Sequence, residues 1–231
     1  MRLFSYEDRP FHLGPYPLET LARTDKASDL SAVPPMTPLV FRREDTPVSL
    51  VNAMTEFQAT LDAVREGLVK RERGVIPEDP LERANHLKSF AYYNDASQAG
   101  VCALTPEIFL DAPVVNPEVA RLAEDMQTRQ TKTLAAGVDV IMADLKEAMA
   151  RPPSSVTHHT HALVFLHEFP RDPERDEPGA DWIMGCQEER ACLRGAEAQA
   201  IISNYIRLLG WEARGHTRAA SDVDLNKLCV A

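Results

Sequence analysis

The sequence predicts an α+β or α/β body, a sheet with helices on its faces, and three observations carry that reading. Helical segments come first, each opened by a capping residue followed by proline. A strand then follows whose core, Ala162-Leu163-Val164-Phe165-Leu166, is apolar on both faces, as suits a central strand covered by helices. After it the order is helix, strand, helix, a mixture that places helices against a sheet rather than in a bundle.

Residues 1–46 read as an extended proline-rich arm. Pro10, Pro15, Pro17, Pro34, Pro35 and Pro38 interrupt any periodicity. Phe4, Phe11, Tyr16, Leu18, Leu21, Leu39, Val40 and Phe41 make the arm too apolar for a free tail, so it is expected to wrap a larger body. Residues 47–231 form the helix-rich module. Thr46-Pro47 opens its first helix, with a stripe of Val51, Met54, Phe57, Leu61, Val64 and Leu68. Asp79-Pro80 opens a second helix, running toward Tyr92-Tyr93, and Val101–Leu104 forms a short strand. Asn116-Pro117 opens a third, long helix striped by Val119, Leu122, Met126, Leu134, Val138, Ile141, Leu145 and Met149, with Gly137 either a bend or only a small cost in stability. The best strand spans Val156 to Phe169, and the charged segment from Pro170 to Asp181 is a surface loop.

The last segment is the most structured in its signals. Ala191, Gly195, Ala198, Ile202, Tyr205 and Leu209 share one helical face whose early members are small. Gly210 stands where a left-handed stop belongs. Trp211, Ala213 and Gly215 alternate with Glu212, Arg214 and His216, as in a strand with two unlike faces. Ser221 and Asp224 fit a capping box for a further helix, which the sequence leaves without a C-terminal cap. The expectation is a module cut from a longer chain, its last helix sharing an apolar face of Leu225, Leu228 and Cys229 with partners beyond Ala231.

Composition bounds the function. With 25 basic and 35 acidic residues the net charge is −10, which argues against a nucleic-acid partner. No apolar run is long enough for a membrane span, and the N-terminus carries neither an apolar signal core nor a twin-arginine signal, so a cytoplasmic location is expected. Cys102, Cys186, Cys192 and Cys229 have irregular spacing and read as reduced thiols without a metal or disulfide framework.

Candidate chemistry is sparse. Thr157-His158-His159-Thr160-His161, followed by His167-Glu168, puts His159, His161 and His167 on one strand face. Two such histidines can ligate zinc when a third ligand arrives from elsewhere, or face a cofactor. The simpler reading is a strand edge whose histidines meet solvent and neighbouring loops, and no metal ligand is assigned. Asp181–Gly185 leads into a helix N-terminus, yet lacks a glycine-rich phosphate loop. Tyr92 and Tyr93 read as packing groups with polar tips, and Arg214, His216 and Arg218 as solvated charge. No catalytic set can be assembled from these residues.

Two stretches carry a family resemblance. One is Ile206-Arg207-Leu208-Leu209-Gly210-Trp211-Glu212-Ala213, with Asp224-Leu225-Asn226 and Cys229-Val230-Ala231 after it. The other is Arg9-Pro10-Phe11-His12-Leu13-Gly14-Pro15-Tyr16-Pro17-Leu18-Glu19. Together they resemble the N-terminal portion of corrinoid-dependent reductive dehalogenases, in the soluble, catabolic branch. The resemblance implies an α+β fold of the nitroreductase or B12-processing kind, a sheet flanked by helices. It implies an enzyme that removes halide from an organohalide with cobalamin and two [4Fe-4S] clusters, fed by an electron donor, with a homodimer possible. The clusters of that family sit in Cys-x2-Cys-x2-Cys-x3-Cys-Pro runs, and this chain has no Cys-x2-Cys. The cofactors, the family's catalytic tyrosine and its basic partners therefore belong to sequence absent here. No catalytic residue is assigned, cofactor contacts stay unassigned, and this segment alone is expected to be inactive. The alternative is a non-catalytic scaffold or binding domain of the same fold.

Overall fold

The structure, a computed structural model, describes Leu21, Asp25, residues 29–128 and residues 154–231. The aromatic residues at the start of the arm, Gly137 and the stripe from Leu134 to Met149 lie outside the described residues. Within the arm, Asp29 caps a single 3-10 turn, Leu30–Ala32. The chain then runs extended over the body. Met36 is buried and donates its backbone N–H to Asp224 at 3.1 Å, and Leu39 donates to the Arg218 carbonyl at 3.2 Å.

Helix α1 (Leu50–Ala63) begins at Leu50, not at Pro47. Ser49 is the better cap, because its hydroxyl accepts from the Asn52 N–H at 3.2 Å. Asn52 in turn donates to the carbonyls of Arg43, Thr46 and Pro47 at 2.8, 3.2 and 3.1 Å, which holds the approach folded back and non-helical. The expected apolar stripe is only half right. Val51 and Met54 are buried, but Phe57 is 50% and Leu68 98% exposed. The helix stops at Ala63, before Val64 and Leu68 can join its face. Its buried side is instead rotated onto Asn52, Thr55, Gln58 and Asp62.

Helix α2 (Pro80–Tyr93) starts as the sequence predicts, with Asp79 accepting from Leu81 N–H at 3.0 Å. Strands β1 (Gln98–Ala103) and β3 (His161–Leu166) pair antiparallel, from Gln98 opposite Leu166 to Ala103 opposite His161. The strand expected over Val156–Phe169 is therefore shorter. His159 N–H closes a turn on the Val156 carbonyl at 2.9 Å, which takes residues 156–159 out of the ladder. Strand β2 (Phe109–Val114), unforeseen in the sequence, pairs with β4 (Ser221–Val223). That pairing is irregular, and Pro113, lacking an N–H, sits in the break. Helix α3 (Pro117–Thr128) opens at Asn116, whose side chain accepts from Glu118 N–H at 2.9 Å.

A short helix α4 (Ala180–Ile183) precedes the long α5 (Gln187–Leu208). Gly210 follows at φ +87°, donating to the Arg207 carbonyl, while Trp211 N–H bonds to Ile206 O. That is the double-bonded glycine stop the sequence promised. Residues 211–216 are extended but make no ladder, so the expected strand is absent there. Helix α6 (Leu225–Val230) is capped by Asp224, which accepts from Asn226 and Lys227 N–H. Ser221 is not its cap; it belongs to β4.

The β1–β3 ribbon is covered on both faces, as the apolar run of β3 implied. Leu163 and Phe165 pack with Tyr92, Ala99 and Ile202 against α2 and α5. Ala162, Val164 and Cys102 face the opposite way, toward Ile108, Val223 and Leu228. Among the described residues β3 pairs with β1 alone, so it is not a central strand. The architecture is α+β, with small antiparallel sheets among helices. Among the described residues no helix is long and apolar enough to cross a membrane.

Candidate functional site

Helix α1 lies against α5, and beside the cluster of Val51, Met54 and Leu193 their shared face is polar. Thr55, Gln58, Asp62 and Arg65 recur at helical spacing on one side, and Glu189, Gln199, Ser203 and Arg207 on the other; all are buried. Glu189 is only 1% exposed. Its Oε1 lies 3.2 Å from the Thr55 hydroxyl, while Oε2 has no hydrogen-bond partner among the described residues. Thr55 has one proton and a second acceptor, the Val51 carbonyl at 2.9 Å. A protonated Glu189 ends that competition by donating to Thr55. Burial pushes the Glu189 pKa up to about 7, opposed by the Thr55 contact and Arg43.

The seam continues into the extended segment after α5. Arg65 Nη1 meets Asp222 at 2.8 Å, and Arg214 Nη1 meets the same oxygen at 3.2 Å. Arg214 also holds Glu66 and the Ser154 hydroxyl, and donates to the Ser154 carbonyl at 2.6 Å. Asp62 accepts from Asn116 at 2.8 Å and from the Thr217 hydroxyl at 3.0 Å, yet burial raises its pKa to about 6. His216 is partly buried beside two arginines; desolvation, set partly against Asp222, takes its pKa down to about 3. Its Nδ1 accepts from Asp222 N–H at 3.3 Å, which fits a neutral ring. The solvated basic group expected of Arg214, His216 and Arg218 is thus corrected. The Arg214 side chain is 5% exposed and fully engaged, and Arg218 pairs with Glu188 at 3.1 Å.

At the rim of this network stand His158, His159 and Glu212, their ligand-type atoms all within 4.8 Å of one another. His158 Nε2 contacts Glu212 Oε2 directly, and His159 Nε2 is 3.8 Å from the same oxygen. Burial and the neighbouring His158 lower the His159 pKa, and the His158 contact lowers that of Glu212. The grouping differs from the one alternation on a strand suggested. His159 sits in the turn before β3, His161 is exposed at its start, and His167 packs edge-on to Phe165 with ring centroids 5.9 Å apart. His167 lies under Gly195, and burial takes its pKa down to about 4. Glu212, which completes the cluster, lies 54 residues from His158 and gave no local signal.

The other sequence candidates resolve simply. Tyr92 is buried and accepts from Ala99 N–H at 3.1 Å, so it packs as expected, while Tyr93 stacks on Phe90 but is 56% exposed. The helix start after Gly185 carries Glu188 and Glu189 in its first turn, which repels a phosphate. Cys102, Cys186, Cys192 and Cys229 are reduced thiols, spread over β1, the cap and body of α5, and α6. Burial raises the Cys192 pKa to about 12, and the Cys186 thiol faces the Trp182 and Met184 carbonyls. Their spacing in the sequence lacks the Cys-x2-Cys run of a [4Fe-4S] cradle.

No protein-family model and no curated protein matches the chain. Solved structures do. The catabolic reductive dehalogenase NpRdhA is 35% identical with a TM-score of 0.60, over 100% of this chain and 26% of that one. Its complex with 3-bromo-4-hydroxybenzoic acid matches equally, with the same identity, coverage and TM-score. A reductive dehalogenase structure described as suggesting a mechanism for B12-dependent dehalogenation gives 33% identity, a TM-score of 0.63 and the same coverage. The chain thus spans about a quarter of the length of the dehalogenases it matches. At 33–35% identity over its whole length, the chain is similar in sequence and fold to part of these reductive dehalogenases.

Proposed function

We propose that these 231 residues are the N-terminal module of a reductive dehalogenase that removes halide from organohalides. The observation that carries the reading is the full-length match to one quarter of such enzymes. The arm of residues 1–46 and the module of residues 47–231, a sheet flanked by helices of the nitroreductase-like kind, support, cover or dimerise the catalytic body. Cobalamin and two [4Fe-4S] clusters belong to the remaining polypeptide. The four scattered thiols here do not fit a cluster, so no redox step is routed through them. The role of this segment is positional: the α1–α5 seam and the Arg65–Asp222–Arg214 network fix the surface on which the rest of the enzyme seats. The setting is a cytoplasmic enzyme served by a soluble electron donor, which the net charge of −10 suits.

The test is to read the natural gene past the codon for Ala231 and to express its full product anaerobically with a cobalamin and iron–sulfur supply. Bromide release from 3-bromo-4-hydroxybenzoic acid and related halophenols is then measured with a reduced viologen as donor. The full product should release halide, and the 231-residue chain alone should not. A stop codon directly after Ala231, or a full product that binds no corrinoid, would refute the assignment.

A further inference from the structure

His158, His159 and Glu212 form a cluster that the dehalogenase reading does not use. Two imidazole nitrogens and a carboxylate oxygen converge within 4.8 Å, with His159 Nε2 at 3.8 Å from Glu212 Oε2. Ligand atoms of a tetrahedral zinc, each about 2.0–2.1 Å from the metal, stand roughly 3.3 Å apart. The cluster therefore needs only small side-chain rotations to enclose a cation. The donor set, two nitrogens and one oxygen, suits a borderline divalent metal and not calcium or magnesium.

The backbone around the cluster is already fixed, which is the second observation. On one side, His159 N–H closes its turn on Val156 O at 2.9 Å, and Val156 is buried. On the other, the Ala213 carbonyl accepts from Arg207 at 3.0 Å and Gly215 N–H bonds to Arg65 O at 3.1 Å. Arg214 ties the two sides together by donating to the Ser154 carbonyl at 2.6 Å. The ligands thus arrive on two segments held in register by backbone and arginine hydrogen bonds, so little backbone ordering cost remains for a metal to meet. His158 and Glu212 are 58% and 63% exposed, leaving the cation open to solvent on one side.

We propose that His158, His159 and Glu212 bind one Zn²⁺ or similar divalent transition-metal ion per chain, with water completing the coordination. The ion staples the turn before β3 to the segment after α5. The proposal stands whether or not halide release is found.

The test is isothermal titration of ZnCl₂ into the tag-free, EDTA-stripped 231-residue chain, with metal content checked by elemental analysis after dialysis. Circular dichroism confirms that each variant is folded. One zinc per chain is expected, with a rise in Tm when zinc is present. Glu212→Gln and His159→Ala should each weaken binding by about tenfold or more. His161→Ala, an exposed neighbour outside the cluster, should leave it unchanged. Folded wild-type chain that takes up no stoichiometric zinc, as a plain histidine–glutamate ion pair would, overturns the proposal. So does zinc binding that survives both ligand substitutions, or that is lost with His161→Ala.

Discussion

Glu189→Gln should make the protein more stable at alkaline pH and leave it unchanged in acid. The carboxyl is almost wholly inaccessible, one oxygen has no partner among the described residues, and the other faces a hydroxyl already committed to Val51. Such a site favours the protonated form, and the folded-state pKa rises from 4.5 to about 7. The sign follows from linkage. Below about pH 4.5 both folded and unfolded chains carry the proton, and stability is full. As pH rises through the folded pKa, the unfolded chain has already ionised, and the folded chain must ionise against burial or keep a proton the solvent no longer supplies. Stability is therefore lost between about pH 4.5 and 7. At about 1.4 kcal/mol per tenfold change in proton affinity, the expected loss is about 3 kcal/mol. Glutamine is uncharged at every pH and can donate to Thr55 as the protonated acid does. Urea unfolding of both proteins at about pH 4.5, 6 and 8 gives the answer as a difference of differences. A Glu189→Gln variant equal to or weaker than wild type at the most alkaline of these would refute the reasoning.

Other perturbations probe the neighbouring contacts. Gly210→Ala should destabilise by roughly 1–3 kcal/mol in urea melts, because φ is +87° and a Cβ would sit 2.8 Å from the Glu72 carbonyl. Asp222→Asn should cost about 3–5 kcal/mol, since it leaves the Arg65 and Arg214 guanidinium groups buried against a neutral partner; a loss under about 1 kcal/mol would show that water reaches them. Iron–sulfur reconstitution of the 231-residue chain should leave no stable, stoichiometric iron, because four scattered thiols make no cluster cradle, and about four irons per chain in elemental analysis would contradict this.

Local signals were mostly legible where the local chain decides. Asp79-Pro80, Asn116-Pro117 and Gly210 act through bonds to residues two to four positions away, and each does what its sequence context promised. The two-faced apolar run of β3 also read correctly, because covering both faces is written in its residue types. Thr46-Pro47 failed locally, because Ser49 and Asn52 claim the helix start; other failures depended on distant partners. Trp211–His216 alternates like a strand, but its backbone is claimed by Arg207 and Arg65, so no ladder forms. The buried side of α1 was assigned to Phe57 and Leu68 because apolar residues were assumed to mark it. The polar series Thr55, Gln58, Asp62 and Arg65 has helical spacing too, and with its counterpart on α5 it was the signal for a polar interface. The candidate site was visible only by half. The histidine cluster stood out in the sequence, but strand alternation named His161 and His167 as companions of His159, whereas a turn and a loop supplied His158 and Glu212.

The Arg65–Asp222 bond spans 157 positions, Asp62–Thr217 spans 155 and Thr55–Glu189 spans 134. On a ribosome adding about 5–20 residues per second, α1 waits roughly 10–30 s for the partners of its charged side. During that interval Arg65 lacks Asp222 and Asp62 lacks Thr217, although Asn116, 54 positions from Asp62, is made sooner. Closure of the module is thus a late event in biosynthesis, triggered by emergence of the segment around Asp222 rather than by early nucleation at the N-terminal helices. The slow, nonlocal pairing makes the nascent chain dependent on protection until that segment clears the exit tunnel.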